Sequence, residues 1–239
     1  MNISDLKINK ILDLATGMGQ FIPYLLSENK DIEELIGVDV CSKSIAQAEK
    51  NCSDPRVSFQ IIDARSLPFS DNYFDGVAIN NSLHHFENIE IVLAEAKRVL
   101  ASDGYLIIHE MVSDAGQSPS QQSHIQIHHW FAELDSFMNR FHDYTFTSKT
   151  IESLISENGF EIIHKEIYDR EKDNPRDEKL IQNYKNFILK AMEQAEKKNA
   201  SLDFIKQGNR VLDHLCEYGY SPARNILLIA QKAGGRNEA

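Results

Sequence analysis

The sequence predicts an α/β protein built on a parallel sheet, and three observations carry that expectation. Short apolar runs alternate with amphipathic stretches through the first sixty or so residues. Two glycines one residue apart, Gly17 and Gly19, join the first apolar run to the first helical pattern. Asp13, Asp39 and Asp63 fall at the ends of three successive runs. Ligands of parallel α/β sheets lie beyond the carboxyl ends of the strands, so three acids in those places point to a polar small-molecule site rather than to solvated surface.

Ile11, Leu12 and Leu14 read as a buried first strand, and Ile22, Leu25 and Leu26 then recur at helical spacing. The intervening glycines suit a turn with strained dihedrals on which a ligand approaches closer than a Cβ would permit. The second run, residues 35–38, ends at Asp39, twenty residues after Gly19, the distance at which nucleotide-binding sheets place a carboxylate under a ribose. Ser42 is a plausible N-cap for a second helix carrying Ile45, Ala46 and Ala48. Asp54-Pro55 turns the chain into a third strand, residues 57–62, closed by Asp63-Ala64. Phe69, Tyr73 and Phe74 flank a turn at Asp71-Asn72 before a fourth strand at residues 75–80. An amphipathic helix at 89–100, ended by Asp103-Gly104, leads to a fifth strand at 105–111. Right-handed crossovers would join these strands.

The stretch ILDLATGMGQF and the run DARSLPFSDNYFDGVAINNSLHHFENIEIVLAEAKRVLASDG together resemble the class I S-adenosylmethionine-dependent methyltransferases, in particular the small-molecule enzymes of ubiquinone and menaquinone biosynthesis type. The first stretch follows the family pattern acid, any, Gly, any, Gly, any, Gly, with Ala15 in place of the first glycine. The resemblance implies a Rossmann-like sheet of seven strands, the last antiparallel, with helices on both faces. It implies S-adenosylmethionine as cofactor and a small molecule as acceptor. Asp13, Ala15, Gly17 and Gly19 would cradle the methionine end, Asp39 would accept from the ribose, Asp63 and Ala64 would take the adenine, and Val40 would wall the ring. Asn80 and Ser82, after the fourth strand, would face the methionine. His85, His109 and Glu110 are the catalytic candidates, and His84 a substrate contact. Glu110, an acid ending an apolar strand, is expected to point at the acceptor or at a histidine.

Beyond the fifth strand, Ser118-Pro119 opens a helix at 118–140 that is the candidate lid. It carries His128, His129 and Trp130 as candidate acceptor contacts. His124 and His128 are four apart, a spacing that places two metal ligands on one helix face, with His142 or Glu133 as a third; no zinc-protease glutamate lies between them, and a pocket-lining role is preferred, so no metal is assigned. A helix at 147–158, a sixth strand at 160–168 and a seventh at 225–230 complete the pattern, with a helical insertion at 170–219 whose two apolar stripes fit either a lid or a homodimer interface. Residues 234–239 read as a disordered tail. The whole is read as a single methyltransferase domain, 1–239.

Composition narrows the partners. The 239 residues carry 36 acids against 25 bases, a net charge of −11, so a nucleic-acid footprint would work against the field of the molecule. Three separated cysteines, Cys41, Cys52 and Cys216, indicate neither a disulfide framework nor a thiolate zinc site. No run approaches the roughly 20 apolar residues of a membrane span, and no basic, apolar leader precedes Ile11, so a soluble, cytoplasmic protein is expected. Two alternatives stand beside the methyltransferase reading: a nicotinamide-dependent Rossmann-type oxidoreductase, disfavoured by the missing third glycine of the dinucleotide turn, and a non-catalytic protein that binds S-adenosylmethionine.

Overall fold

The computed structural model describes residues 2–234; the tail expected to be disordered lies, from residue 235 on, outside the described residues. Seven strands form one sheet: β1 (Lys10–Leu14), β2 (Glu34–Asp39), β3 (Val57–Ile61), β4 (Phe74–Asn80), β5 (Leu100–Met111), β6 (Phe160–Tyr168) and β7 (Asn225–Lys232). Their order is β3-β2-β1-β4-β5-β7-β6, parallel except for β7. Helices α1 (Ile22–Glu28), α2 (Ser42–Asn51) and α3 (Ile89–Val99) connect β1 to β2, β2 to β3 and β4 to β5, and a loop joins β3 to β4. The strand order turns at β1, which pairs with β2 on one side and β4 on the other. That switch point is where a sheet of this kind opens a crevice for ligand.

Burial explains the composition of the strands. Ile11, Leu12, Leu14, Leu35, Val38, Val77, Ala78 and Ile79 are fully buried, as the near-continuous apolar runs of a sheet covered on both faces require. Gly37 of β2 has a steric reason. A Cβ there would stand 2.9 Å from both the Phe59 ring and the Thr16 hydroxyl. Its absence lets Phe59 of β3 reach the turn after β1, where the ring would lie 3.4 Å from a Cβ at Gly19.

The strands match the sequence expectations closely except at β5. Asp103-Gly104 does not end a helix; α3 stops at Val99 and β5 already begins at Leu100. The register between β4 and β5 shifts between Phe74 and Gly76. Gly104 permits this irregular start, because a Cβ there would meet the Asp75 carbonyl at 2.9 Å and the Leu100 side chain at 2.8 Å. Arg98, at the end of α3, fixes the preceding loop by donating to the carbonyls of Leu67 and Phe69 and to Glu95 and Asp71.

The chain divides into two compact units. The first comprises the chain up to Glu110, Lys149–Glu166 and the strand from Ile226, and it holds nearly all of the sheet. The second comprises Met111–Ser148 and Ile167–Asn225. The two insertions that the sequence reading attached to a single domain thus gather into a unit with a core of its own. Its helices are α4 (Pro119–Phe137), α6 (Glu178–Lys197) and α7 (Leu202–Tyr218), while α5 (Ser148–Glu157) precedes β6.

Helix α4 opens on a capping box between Ser118 and Gln121 with Pro119 in its first turn. Asp177 caps α6 and Ser201 caps α7, and Gly219 ends α7 at φ +78°. Much of the apolar stripes of α6 and α7 goes into this core: Ile188, Met192, Phe204 and Leu215 are buried with Trp130 and Leu134 of α4, while Phe187 and Leu202 stay exposed. Gly208 lets α7 close on α4, since a Cβ there would come within 3.0 Å of the Trp130 ring. Among the described residues, no helix is long and apolar enough to cross a membrane.

Candidate functional site

Asp13 is a deeply buried polar group of the first unit. It is 1% exposed, in register with Gly37 and Ala78 on the neighbouring strands. Thr16 donates its hydroxyl to Asp13 Oδ2 at 2.6 Å, while Oδ1 is buried with no hydrogen-bond partner. Burial pushes the Asp13 carboxyl up to about 7, against the Thr16 hydroxyl, which lowers it, and with the Asp39 charge, which raises it further. An acid in this state calls for a donor, preferably a cation, at its unpartnered oxygen.

The turn above it has the backbone that a close-lying ligand needs. Ala15, Gly17 and Gly19 all take positive φ, at 53°, 56° and 77°. Ala15 tolerates this conformation at a cost of about 1–2 kcal/mol relative to glycine, a strain of the kind held at functional sites. The Gly19 amide donates to the Thr16 carbonyl, and the Thr16 amide to the Val38 carbonyl, so the turn is tied to the end of β2. Asp39 completes the cradle. Its Oδ2 accepts the Gly17 amide at 2.9 Å and its Oδ1 accepts the Cys41 amide at 2.8 Å, so one carboxylate orders both the glycine turn and the entry to α2. Each oxygen keeps a second acceptor position.

Further along the strand ends, the Asp63 carboxylate accepts from the Arg65 amide and guanidinium. Arg65 holds it below the usual carboxylate range, first through the side-chain hydrogen bond. Ala64 is buried, whereas Val40 stands 68% exposed between Asp39 and α2 and is free to meet a flat ligand. Asn80 is paired across to His109, Oδ1 to Nδ1 at 2.7 Å, and the His109 ring stacks on Phe21 at 5.5 Å. The Ser82 hydroxyl donates to the Asn80 carbonyl at 2.8 Å.

Glu110 is wholly buried at the end of β5. Its Oε2 accepts the amides of Ser82 and Leu83, both at 3.0 Å, and its Oε1 lies 3.0 Å from His84 Nδ1. Of the two outcomes expected for Glu110, the acceptor or a histidine, the structure realises the histidine. Glu110 anchors the turn that carries His84 and His85 rather than opening onto an acceptor. His84 is buried with it, and His85, exposed, stacks obliquely on His84 at 4.4 Å between ring centroids.

This geometry agrees with what the chain is similar to. Residues 12–108 match the family model described as a methyltransferase domain. That span is a class I S-adenosylmethionine-dependent methyltransferase domain. Within the class, the chain is 36% identical over 110 residues to a demethylmenaquinone methyltransferase from Thermotoga maritima, an alignment covering 46% of this chain and 47% of that protein. The chain therefore spans about half the length of the curated relatives it matches. Among solved structures, the BH2331 protein of Bacillus halodurans superposes with a TM-score of 0.64 at 19% identity, covering 97% of this chain and 96% of that one. The [4+2]-cyclase SpnF superposes at 0.60, also at 19% identity, covering 97% and 78%. These likenesses establish the class I methyltransferase fold, which evidently carries more than one chemistry.

The first unit brings together Asp13, Ala15, Gly17, Gly19 and Asp39 as one connected cradle, and Asn80, Ser82, His84, His109 and Glu110 as a second connected group. Other expected site residues take different places. Trp130 was expected on an acceptor wall, but it is 3% exposed in the helical core, stacked on Phe204 at 5.0 Å with its indole N–H on the Phe204 carbonyl. His124 does not pair with His128 as a metal-ligand couple: its Nδ1 accepts the Ala223 amide at 2.9 Å, and burial lowers its pKa to about 4. His129 bonds Thr145 through Nε2 at 2.8 Å.

Sequence reasoning passed over Thr16, Phe59 and Arg65. Thr16, a short hydroxyl three residues after a buried acid, carried a local signal; Phe59 did not, because its role is set by the strand it faces.

Two outcomes follow from the site. Folding raises Asp13 from 3.8 to about 7, so the folded chain holds this proton more tightly than the unfolded one. The group's contribution to stability therefore falls as pH rises from about 4 through about 7. A cation bound at Oδ1 requires the carboxylate, so affinity for S-adenosylhomocysteine should rise about tenfold between about pH 6 and pH 8. Calorimetry across that range, with Asp13→Asn giving a flat profile, checks this. Glu110→Ala leaves two buried amides without an acceptor and should cost roughly 2–4 kcal/mol in denaturant unfolding. Glu110→Gln, which keeps one acceptor oxygen, should lose less.

Proposed function

We propose that this chain transfers the methyl group of S-adenosylmethionine to a small-molecule acceptor. The observation that carries the reading is the buried, half-satisfied Asp13 carboxyl beneath a positive-φ turn, with Asp39 bridging that turn to α2. These residues fit an adenosylated amino acid at both ends. Asp13 Oδ1 offers a counter-charge to an α-ammonium, and the turn admits backbone-close approach. Asp39 has acceptor positions left for ribose hydroxyls, and Asp63, Ala64 and Val40 would meet the adenine.

The bound cofactor would supply a sulfonium methyl that needs no further activation. What the protein adds is position, an effect that reaches about 7–11 kcal/mol when a near-attack geometry is held. Glu110 acts on that geometry by fixing the Ser82–Leu83 backbone, and it holds His84 in place. His85, exposed on the same turn, is the candidate base where the acceptor must lose a proton, a role worth about 10²–10⁴-fold. His109 is braced by Asn80 and Phe21, which suits a binding wall better than a proton carrier. The similarity to menaquinone-type enzymes and the net charge of −11 both favour a small acceptor over nucleic acid.

Titration of the purified chain with S-adenosylhomocysteine and with NADH tests the reading. S-adenosylhomocysteine should bind, and Asp39→Ala, which removes charge-assisted bonds worth roughly 1.5–3 kcal/mol each, should weaken it about 10- to 150-fold. NADH should give no heat. Binding of NADH alone would replace the methyltransferase reading with the oxidoreductase one; binding of S-adenosylhomocysteine without turnover of any methyl acceptor would leave a cofactor-binding protein.

A further inference from the structure

Thr16 and Asp13 form a buried pair in which one oxygen of the carboxyl is taken and the other is not. The Thr16 backbone is held on both sides, its amide donating to the Val38 carbonyl at 2.9 Å and its carbonyl accepting the Gly19 amide at 2.9 Å. Gly37 leaves room for the side chain to turn inward, since a Cβ there would stand 2.9 Å from the Thr16 hydroxyl oxygen. That hydroxyl donates to Asp13 Oδ2 at 2.6 Å, its one hydrogen bond among the described residues, while Oδ1 has none. Thr16 is 6% exposed and Asp13 1%, so bulk water replaces no missing partner.

This pairing fixes where the carboxyl proton sits. A proton on Oδ2 would turn the bond round and leave two buried groups unsatisfied, the Thr16 hydroxyl hydrogen and Oδ1. A proton on Oδ1 leaves one, because Thr16 goes on donating to Oδ2. Among the charged groups of the neighbouring strands, Asp39 of β2 raises the Asp13 carboxyl. Glu34 of β2 pairs in register with Lys10 at the other end of β1 and accepts from the Tyr73 hydroxyl. Asp75 of β4 accepts the Asn9 and Lys10 amides, at that same far end. On the helices, Lys43, Glu49 and Lys50 of α2 are exposed, and α1 carries Tyr24, exposed, and Glu28 as its last residue.

We propose that Thr16 is a positioning residue for the cofactor: by occupying Asp13 Oδ2 it directs both the carboxyl proton and the cofactor's ammonium to Oδ1, so that the ammonium displaces the proton. The inference rests on the methyltransferase reading and deepens it. The exchange balances, since a protonated Asp13 takes up one cation and gives one proton to the solvent, and the only covalent bond broken is the carboxyl O–H. Burial holds the Asp13 carboxyl up at about 7. The exchange therefore operates at and below neutral pH, and above it the ammonium meets a carboxylate already formed.

Calorimetry of S-adenosylhomocysteine binding in buffers of different ionisation enthalpy counts the protons released. The wild type should release close to one proton at about pH 6 and far less at about pH 8. Thr16→Val, or Thr16→Ala where valine is not accommodated, deprives the carboxylate of its donor. The Asp13 carboxyl ¹³C titration of the ligand-free chain should then move up by about one pH unit, and the pH profile of affinity with it, while Thr16→Ser keeps both near the wild type. A threonine that only shapes the turn would lower affinity equally at every pH and leave the titration in place. That result overturns the proposal, as does wild-type binding without proton release at about pH 6, a measurement that decides even if no variant folds. A wild type that binds no S-adenosylhomocysteine at any pH removes the methyltransferase reading itself, and this inference with it.

Discussion

One carboxyl group governs the methyltransferase domain. Asp13 lies inside the sheet where only its Thr16 partner reaches it, and its other oxygen faces no donor. A sealed acid of this kind is unfavourable in either state: charged it lacks a counter-ion, and protonated it still lacks one hydrogen bond. The surrounding structure holds it there nonetheless. Gly37 clears space for Thr16 and Phe59, and Asp39 and the Thr16 backbone tie the turn above it. The cation of the proposed cofactor would supply the partner that this half-paired acid lacks.

The loop after β4 follows a complementary logic. There the buried acid, Glu110, is satisfied from within, by two amides and an imidazole. It makes a rigid platform from a segment whose backbone would otherwise be loosely held. One acid is left half-paired and another is fully paired to set a loop, both at ends of the same sheet. The difference arises from their neighbours: β1 leads into a turn that closes back on β2, whereas β5 lies beside the chain leaving β4, whose amides point at Glu110.

How far the sequence could anticipate this depends on how local each feature is. The glycine turn, the three strand-end acids and the strand periodicities are short-range, and they were legible, as was the antiparallel seventh strand through family resemblance. Gly104 inside β5 was not, because its reason is the Asp75 carbonyl on another strand. Trp130 illustrates a different limit. An apolar stripe on α4 fits a pocket wall and a helical core equally well until α7, through Gly208, closes upon it. His142, named from the sequence only as a possible third ligand beside His128, meets that ring edge to face through the loop after α4, which helical spacing alone does not place.

The account rests on Asp13 and the glycine turn being the seat of an adenosylated amino acid. A crystal structure of the chain grown with S-adenosylhomocysteine tests this most directly. The account predicts electron density beyond the ends of β1 and β2, with the ligand ammonium within hydrogen-bonding distance of Asp13 Oδ1 and the ribose on Asp39. Ligand bound elsewhere, or with its ammonium turned away while Asp13 Oδ1 stays unpartnered, would contradict it.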